Sequence, residues 1–122
     1  MYRINTGYWN KAERQTYKNW RYDSKFEASY AMYLDSELKA KRIKSWERQV
    51  TLELRVNDRK VCTYRIDFIV KHNDGITEFI ETKGYATPVW KLKWSLFEAL
   101  YDKPGNKLTI EQQGRWNLKK FN

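Results

Sequence analysis

Hydrophobic positions recur in two rhythms along this chain. Over residues 24–41 they fall at Phe26, Tyr30, Tyr33, Leu34 and Leu38, the one-sided stripe of an amphipathic helix. Ser24 and Glu27 have the S-x-x-E spacing of a capping box at its start. Over residues 46–56 the period becomes two: Val50, Leu52, Leu54 and Val56 alternate with Gln49, Thr51, Glu53 and Arg55. A second such stretch, residues 60–71, sets Cys62, Tyr64, Ile66, Phe68 and Val70 against Val61, Thr63, Arg65, Asp67 and Ile69. Asn57-Asp58 between the two reads as a hairpin turn. After Asn73-Asp74-Gly75 a third strand is predicted over residues 76–83, ended by Gly84.

Thr87-Pro88 then opens a second helix, with proline where a missing N–H costs nothing. It is apolar over most of its circumference, with Lys91, Ser95 and Glu98 as the polar strip. Residues 102–106 break it, and residues 107–111 read as a final strand. A helix between the third and fourth strands predicts a parallel crossover pair. The expected class is therefore α/β: a mixed central sheet flanked by helices, in the order αβββαβ. Residues 1–22 stand apart as a basic, aromatic and irregular arm, before a domain over residues 23–122. Its Tyr and Trp residues either pack on the core or a partner subunit, or accompany Arg14, Lys18 and Arg21 onto nucleic acid.

Composition narrows the partner. The chain has 122 residues, a formal net charge of +9 and 16% aromatic residues, a balance that favours a polyanion, nucleic acid before a membrane surface. No apolar run approaches the roughly 20 residues that span a bilayer. Residues 1–5 lack the apolar block of a secretory signal, so a cytoplasmic location is expected. Cys62 and His72 each occur once, which leaves no intrachain disulfide, no cysteine zinc cluster and little basis for a serine or thiol triad. Cys62 is expected to be a small buried residue and His72 a solvated turn residue.

The candidate chemistry lies on the second and third strands. Glu81 and Lys83 are two residues apart and share a face; Asp67 precedes Glu81 by 14 residues, the length of two adjacent strands and a turn. Glu27 lies within the apolar arc of the first helix, so its carboxylate faces the protein, either bonding back to the cap or serving a site beneath. Phosphodiester hydrolysis needs an attacking water and charge neutralisation at the phosphate, which Mg²⁺ or Mn²⁺ on oxygen ligands supplies. Asp67, Glu81 and the Thr82 backbone carbonyl are the candidate ligands, with Glu27 joining directly or through water. Lys83 would orient or deprotonate the attacking water, or stabilise developing charge. Gln49 is a further residue able to line the site. Lys91 and Lys93 could reach flanking phosphates, whereas Trp90 and Trp94 are expected in the core.

This order of elements, with Glu27 in the first helix, Asp67 before Phe68, and Glu81-Thr82-Lys83-Gly84 closing a strand, resembles the PD-(D/E)XK nuclease superfamily over about residues 22–112. It looks most like small phage-encoded members, including junction-resolving endonucleases. Ile66 stands where the motif name places proline. The resemblance implies a restriction-endonuclease-like core and a divalent-metal-dependent endodeoxyribonuclease with Asp67, Glu81 and Lys83 as its triad, assisted by Glu27. It further implies duplex or branched DNA as substrate, no small-molecule cofactor and, for members that resolve branched DNA, a homodimer; a phage protein would act in the host cytoplasm. A non-catalytic nucleic-acid-binding module of the same fold and an RNA-directed nuclease are the alternatives.

Overall fold

A computed structural model of the chain describes residues 15–17, 20–22, 25–83 and 86–112. Within them run β1 (Gln15–Tyr17), β2 (Trp20–Tyr22), α1 (Lys25–Lys39), β3 (Ile43–Val56), β4 (Arg59–His72), β5 (Thr77–Lys83), α2 (Pro88–Tyr101) and β6 (Asn106–Gln112). Strands β3 to β6 form one sheet in that order. It is antiparallel except at β5–β6, which the α2 crossover makes parallel, as expected. The result is a small α/β fold with a mixed four-stranded sheet and two helices.

Local chemistry sets the boundaries. Asn57 and Asp58 both take left-handed backbone, φ 50° and 64°, as a two-residue type I′ hairpin requires. Thr87 caps α2, its hydroxyl accepting from the Trp90 N–H at 3.1 Å, with Pro88 at the first helical position. The expected cap of α1 at Ser24 lies outside the described residues. That helix ends at Lys39, and Lys41 (φ 62°) turns the chain while Lys41 and Arg42 donate backbone N–H groups to Leu38 and Glu37.

Three expectations change. Residues 15–22 are not wholly irregular: β1 and β2 pair antiparallel, in keeping with the extended preference of Thr16, Tyr17, Trp20 and Tyr22. Leu38 is exposed, because the chain leaves α1 within a turn and Ile43, on β3, packs with Leu34 instead. The third change concerns the hairpin faces.

Two hydrophobic clusters cover the sheet. Phe26, Tyr30, Ala31 and Leu34 of α1 pack with Phe68, Val70 and Ile80. Trp90, Trp94 and Phe97 of α2 pack with Leu54, Tyr64, Ile66 and Phe79. Ile66 and Phe68 are two residues apart yet lie on opposite faces, and on β3 Trp46 joins the α1 cluster while Val50 and Leu52 join the other. The single face read from the sequence for residues 62–70 is therefore two half-faces. The exchange occurs where the ladder pairs Arg48 with Phe68 and Val50 with Ile66 but skips Gln49 and Asp67 between them. Gln49 has φ 49° there, a left-handed kink that turns both strands over.

No described helix is long and apolar enough to cross a membrane.

Candidate active site

Strand β5 outruns its pairing with β4, and the predicted residues gather in the gap. The β4–β5 ladder stops at Phe68–Ile80. Just beyond it, Asp67 Oδ2 accepts the Thr82 N–H at 2.9 Å and the Thr82 hydroxyl at 2.8 Å. The carboxylate replaces the ladder acceptor that a buried strand amide needs. Asp67 and Thr82 are both buried, and Thr82 sits opposite Glu111 in the parallel register with β6.

Glu81 and Lys83 share the α2 side of β5 with Phe79, as the alternation predicted. Glu81 is 0% exposed, and neither carboxylate oxygen makes a hydrogen bond. Burial pushes its carboxyl well above the usual range; the Tyr64 hydroxyl, outside full hydrogen-bond geometry, partly opposes this, and the charge of Glu27 adds to it. Lys83 Nζ stands 3.8 Å from Glu81 Oε2 and 4.5 Å from the centre of the Trp90 ring. Burial draws its amine down to about 7. Trp90 is itself fixed by its Nε1–H donating to the Tyr64 hydroxyl at 3.0 Å.

Glu27 enters from α1, 2% exposed, and Gln49 Nε2 donates to its Oε2 at 3.2 Å. Gln49 thus joins the helix carboxylate to the kink opposite Asp67. The sequence offered Gln49 only as a lining residue; its grip on Glu27 depends on how α1 seats against β3, which strand periodicity does not encode. Of the expected nucleic-acid contacts, Lys91 is exposed on α2 and Lys93 Nζ donates to the Thr63 carbonyl at 3.1 Å. Arg21 lies on β2, while Arg14 and Lys18 lie outside the described residues. Trp90 and Trp94 stack 5.8 Å apart in the core.

Among the described residues, no three His, Cys, Asp or Glu side chains form a ready-made metal cage. The donors nonetheless fit a hard divalent cation. Asp67 and Glu81 offer carboxylate oxygens from adjacent strands, the donor type such a cation takes, and a fully buried carboxylate without hydrogen bonds requires a proton or a cation to offset its lost hydration. Lys83 offers limited compensation, since the same burial discharges it near neutral pH.

A separate cavity of about 540 Å³ lies between α1, β5 and β6 and contains none of these residues. There His72, half-buried at the end of β4 rather than solvated in a turn, pairs with Glu78 at 2.8 Å. Thr109 donates its hydroxyl to Glu78 Oε2 at 2.5 Å. Cys62 is half-buried, not buried, on the flank of the α2 cluster.

A family model described as "Protein of unknown function (DUF1064)" matches residues 8–117. No curated protein and no solved structure matches the chain.

Proposed function

The chain belongs to the DUF1064 family, and for this member we propose a divalent-metal-dependent endonuclease that hydrolyses DNA phosphodiester bonds, with a restriction-endonuclease-like αβββαβ core of the PD-(D/E)XK type. The observation that carries this reading is the buried Glu81 carboxylate, without a hydrogen bond, beside Lys83 at the end of β5 that β4 does not pair, where Asp67 holds Thr82. A structural ion pair gains little from such burial. A site that takes up a divalent cation gains from it, because the ion replaces the hydration the carboxylate has lost.

Asp67, Glu81 and the Thr82 carbonyl would hold Mg²⁺ or Mn²⁺, with Glu27 assisting from α1. A bound cation supplies Lewis acidity at the phosphate. Asp67 would enter such a site pre-oriented, because its Oδ2 is held by the Thr82 N–H and hydroxyl. Gln49 restrains the Glu27 carboxylate in the same way. Lys83, with its amine near neutrality, takes a proton at Nζ from the attacking water. Trp90 and the Tyr64 hydroxyl keep bulk water from the back of the site. The excess of basic residues suits a polyanionic substrate, and branched or junction DNA in phage DNA processing is the preferred form.

The test is cleavage of duplex, single-stranded, nicked, flap and four-way-junction DNA and of RNA, each with Mg²⁺, Mn²⁺ or EDTA, beside Asp67→Ala. Metal-dependent cutting of DNA that disappears in the variant supports the reading. Binding without cutting under either metal overturns it in favour of a non-catalytic module, and cutting of RNA alone reassigns the substrate.

A further inference from the structure

The β3–β4 hairpin is twice as long as the strand beside it: 14 residues in each arm against 7 in β5. Extending the β4–β5 register past Phe68–Ile80 puts the end of β5, at Lys83, level with Arg65. From Arg65 to the tip at Arg59 the two strands continue without β5, a reach of about 20 Å at ~3.4 Å per residue. They run outward from the end of β5 that carries Glu81 and Lys83, with Asp67 at the base of this stretch on β4. One face of this ribbon is covered by α2, through Leu52, Leu54, Cys62 and Tyr64. On the other, Thr51, Glu53, Arg55, Val61 and Thr63 are exposed.

Four cations mark the way outward. Arg65 is level with the site, Lys93 reaches over from α2 to the Thr63 carbonyl, and Lys60 and Arg59 are exposed at the tip. Glu53 is occupied by Arg55 at 3.0 Å, and the same guanidinium donates to the Asp58 carbonyl at 2.6 Å, which stiffens the turn. That leaves Asp58 as the one acid at the tip beside two adjacent cations. A two-stranded ribbon has the width that a B-form groove admits, and 20 Å is over half of a duplex turn of about 34 Å.

We propose that the distal half of the β3–β4 hairpin is a second DNA contact, a ribbon that lies along the duplex flanking the scissile phosphate and grips its backbone through Arg59 and Lys60. The assignment rests on the nuclease reading for its orientation, yet it is tested without cleavage. The experiment is fluorescence anisotropy of a labelled 30-base-pair duplex in EDTA across a salt series. It compares the wild-type chain, Arg59→Gln/Lys60→Gln, and a charge-matched control, Lys41→Gln/Lys103→Gln, whose exposed lysines lie away from the hairpin tip. Loss of two phosphate contacts lowers the slope of log K against log salt by about 1.8 and the affinity on the order of tenfold or more at 0.15 M salt. The control should keep the wild-type slope. Unchanged affinity and slope in the tip variant, or an equal loss in the control, overturns the contact. If the tip variant alone loses affinity while the wild type cuts nothing, the ribbon stands and the nuclease reading fails. The reverse pattern, cutting intact and tip binding unchanged, removes the ribbon only.

Discussion

Lys83 Nζ lies 3.8 Å from Glu81 Oε2, with the two side chains 3% and 0% exposed. Opposite charges at that distance normally hold each other ionised, but here burial drives both toward neutrality, the carboxyl upward and the amine downward. The pair is therefore costly without a further charge, and its cost depends on pH in two distinct ways.

For Glu81 the folded state holds a proton that the unfolded chain has released, so stability falls as pH rises from about 4.5 toward the raised folded value. Glu81→Gln removes that slope. In EDTA at pH 7.5 it should melt roughly 5 °C above wild type, with the gap closing toward pH 4.5. Adding Mn²⁺ should raise the wild-type midpoint and leave Glu81→Gln where it was. Thermal melts at three pH values, with and without metal, check both parts.

Lys83 carries the opposite sign. Its folded value of about 7 lies below the ordinary 10.5, so between those limits the unfolded chain binds more protons and stability rises with pH. Lys83→Met should be more stable than wild type at and below pH 7, the advantage vanishing near pH 10.5, and it should lose cleavage at every pH. Urea unfolding of metal-free protein at pH 6, 8 and 10 reads the trend; a gap independent of pH would contradict it.

Asp67 has two jobs that substitution separates. Asp67→Ala strands the buried Thr82 N–H and hydroxyl, at about 1–3 kcal/mol for each unsatisfied group. Asp67→Asn keeps a side-chain oxygen for the amide and should retain more of that stability. Both should reduce cleavage below detection while salt-dependent DNA binding survives. Chemical denaturation beside a cleavage assay distinguishes them.

Gln49 offers a case where fold and function move apart. Gln49→Gly relieves a left-handed backbone, whereas Gln49→Ala keeps the strain; both lose the bond to Glu27. The glycine variant should melt above the alanine variant, by the equivalent of about 1 kcal/mol. Cleavage should fall about tenfold in both. Equal wild-type rates in the two would return Gln49 to a purely structural part.

Much of this was readable from periodicity and punctuation. The element order from α1 to β6, the Asn57-Asp58 turn, the Thr87-Pro88 start of α2 and the shared face of Glu81 and Lys83 all follow from local rules. The reversal at Asp67 was not readable, because a period of two assumes that alternation continues, and the kink at Gln49 breaks it in both strands at once. Tertiary partners decide the rest: His72 leaves the solvent for Glu78, which comes to it across the β4–β5 pair, and Leu38 loses its place to Ile43. Single-residue patterns carry no information about such substitutions of one contact for another.

The exchange of faces at Gln49 and Asp67 makes the hairpin behave like a ribbon given a half-turn and pinned at one point. Each side of the pin feeds a different helix, so the two cores are geared together there. An insertion of one residue between Val50 and Leu54 would reverse the distal half alone, sending Leu54 outward while Trp46 kept its place. The ribbon would then present its oily side to solvent and its charged side to α2. Length, more than composition, is what this segment has to preserve.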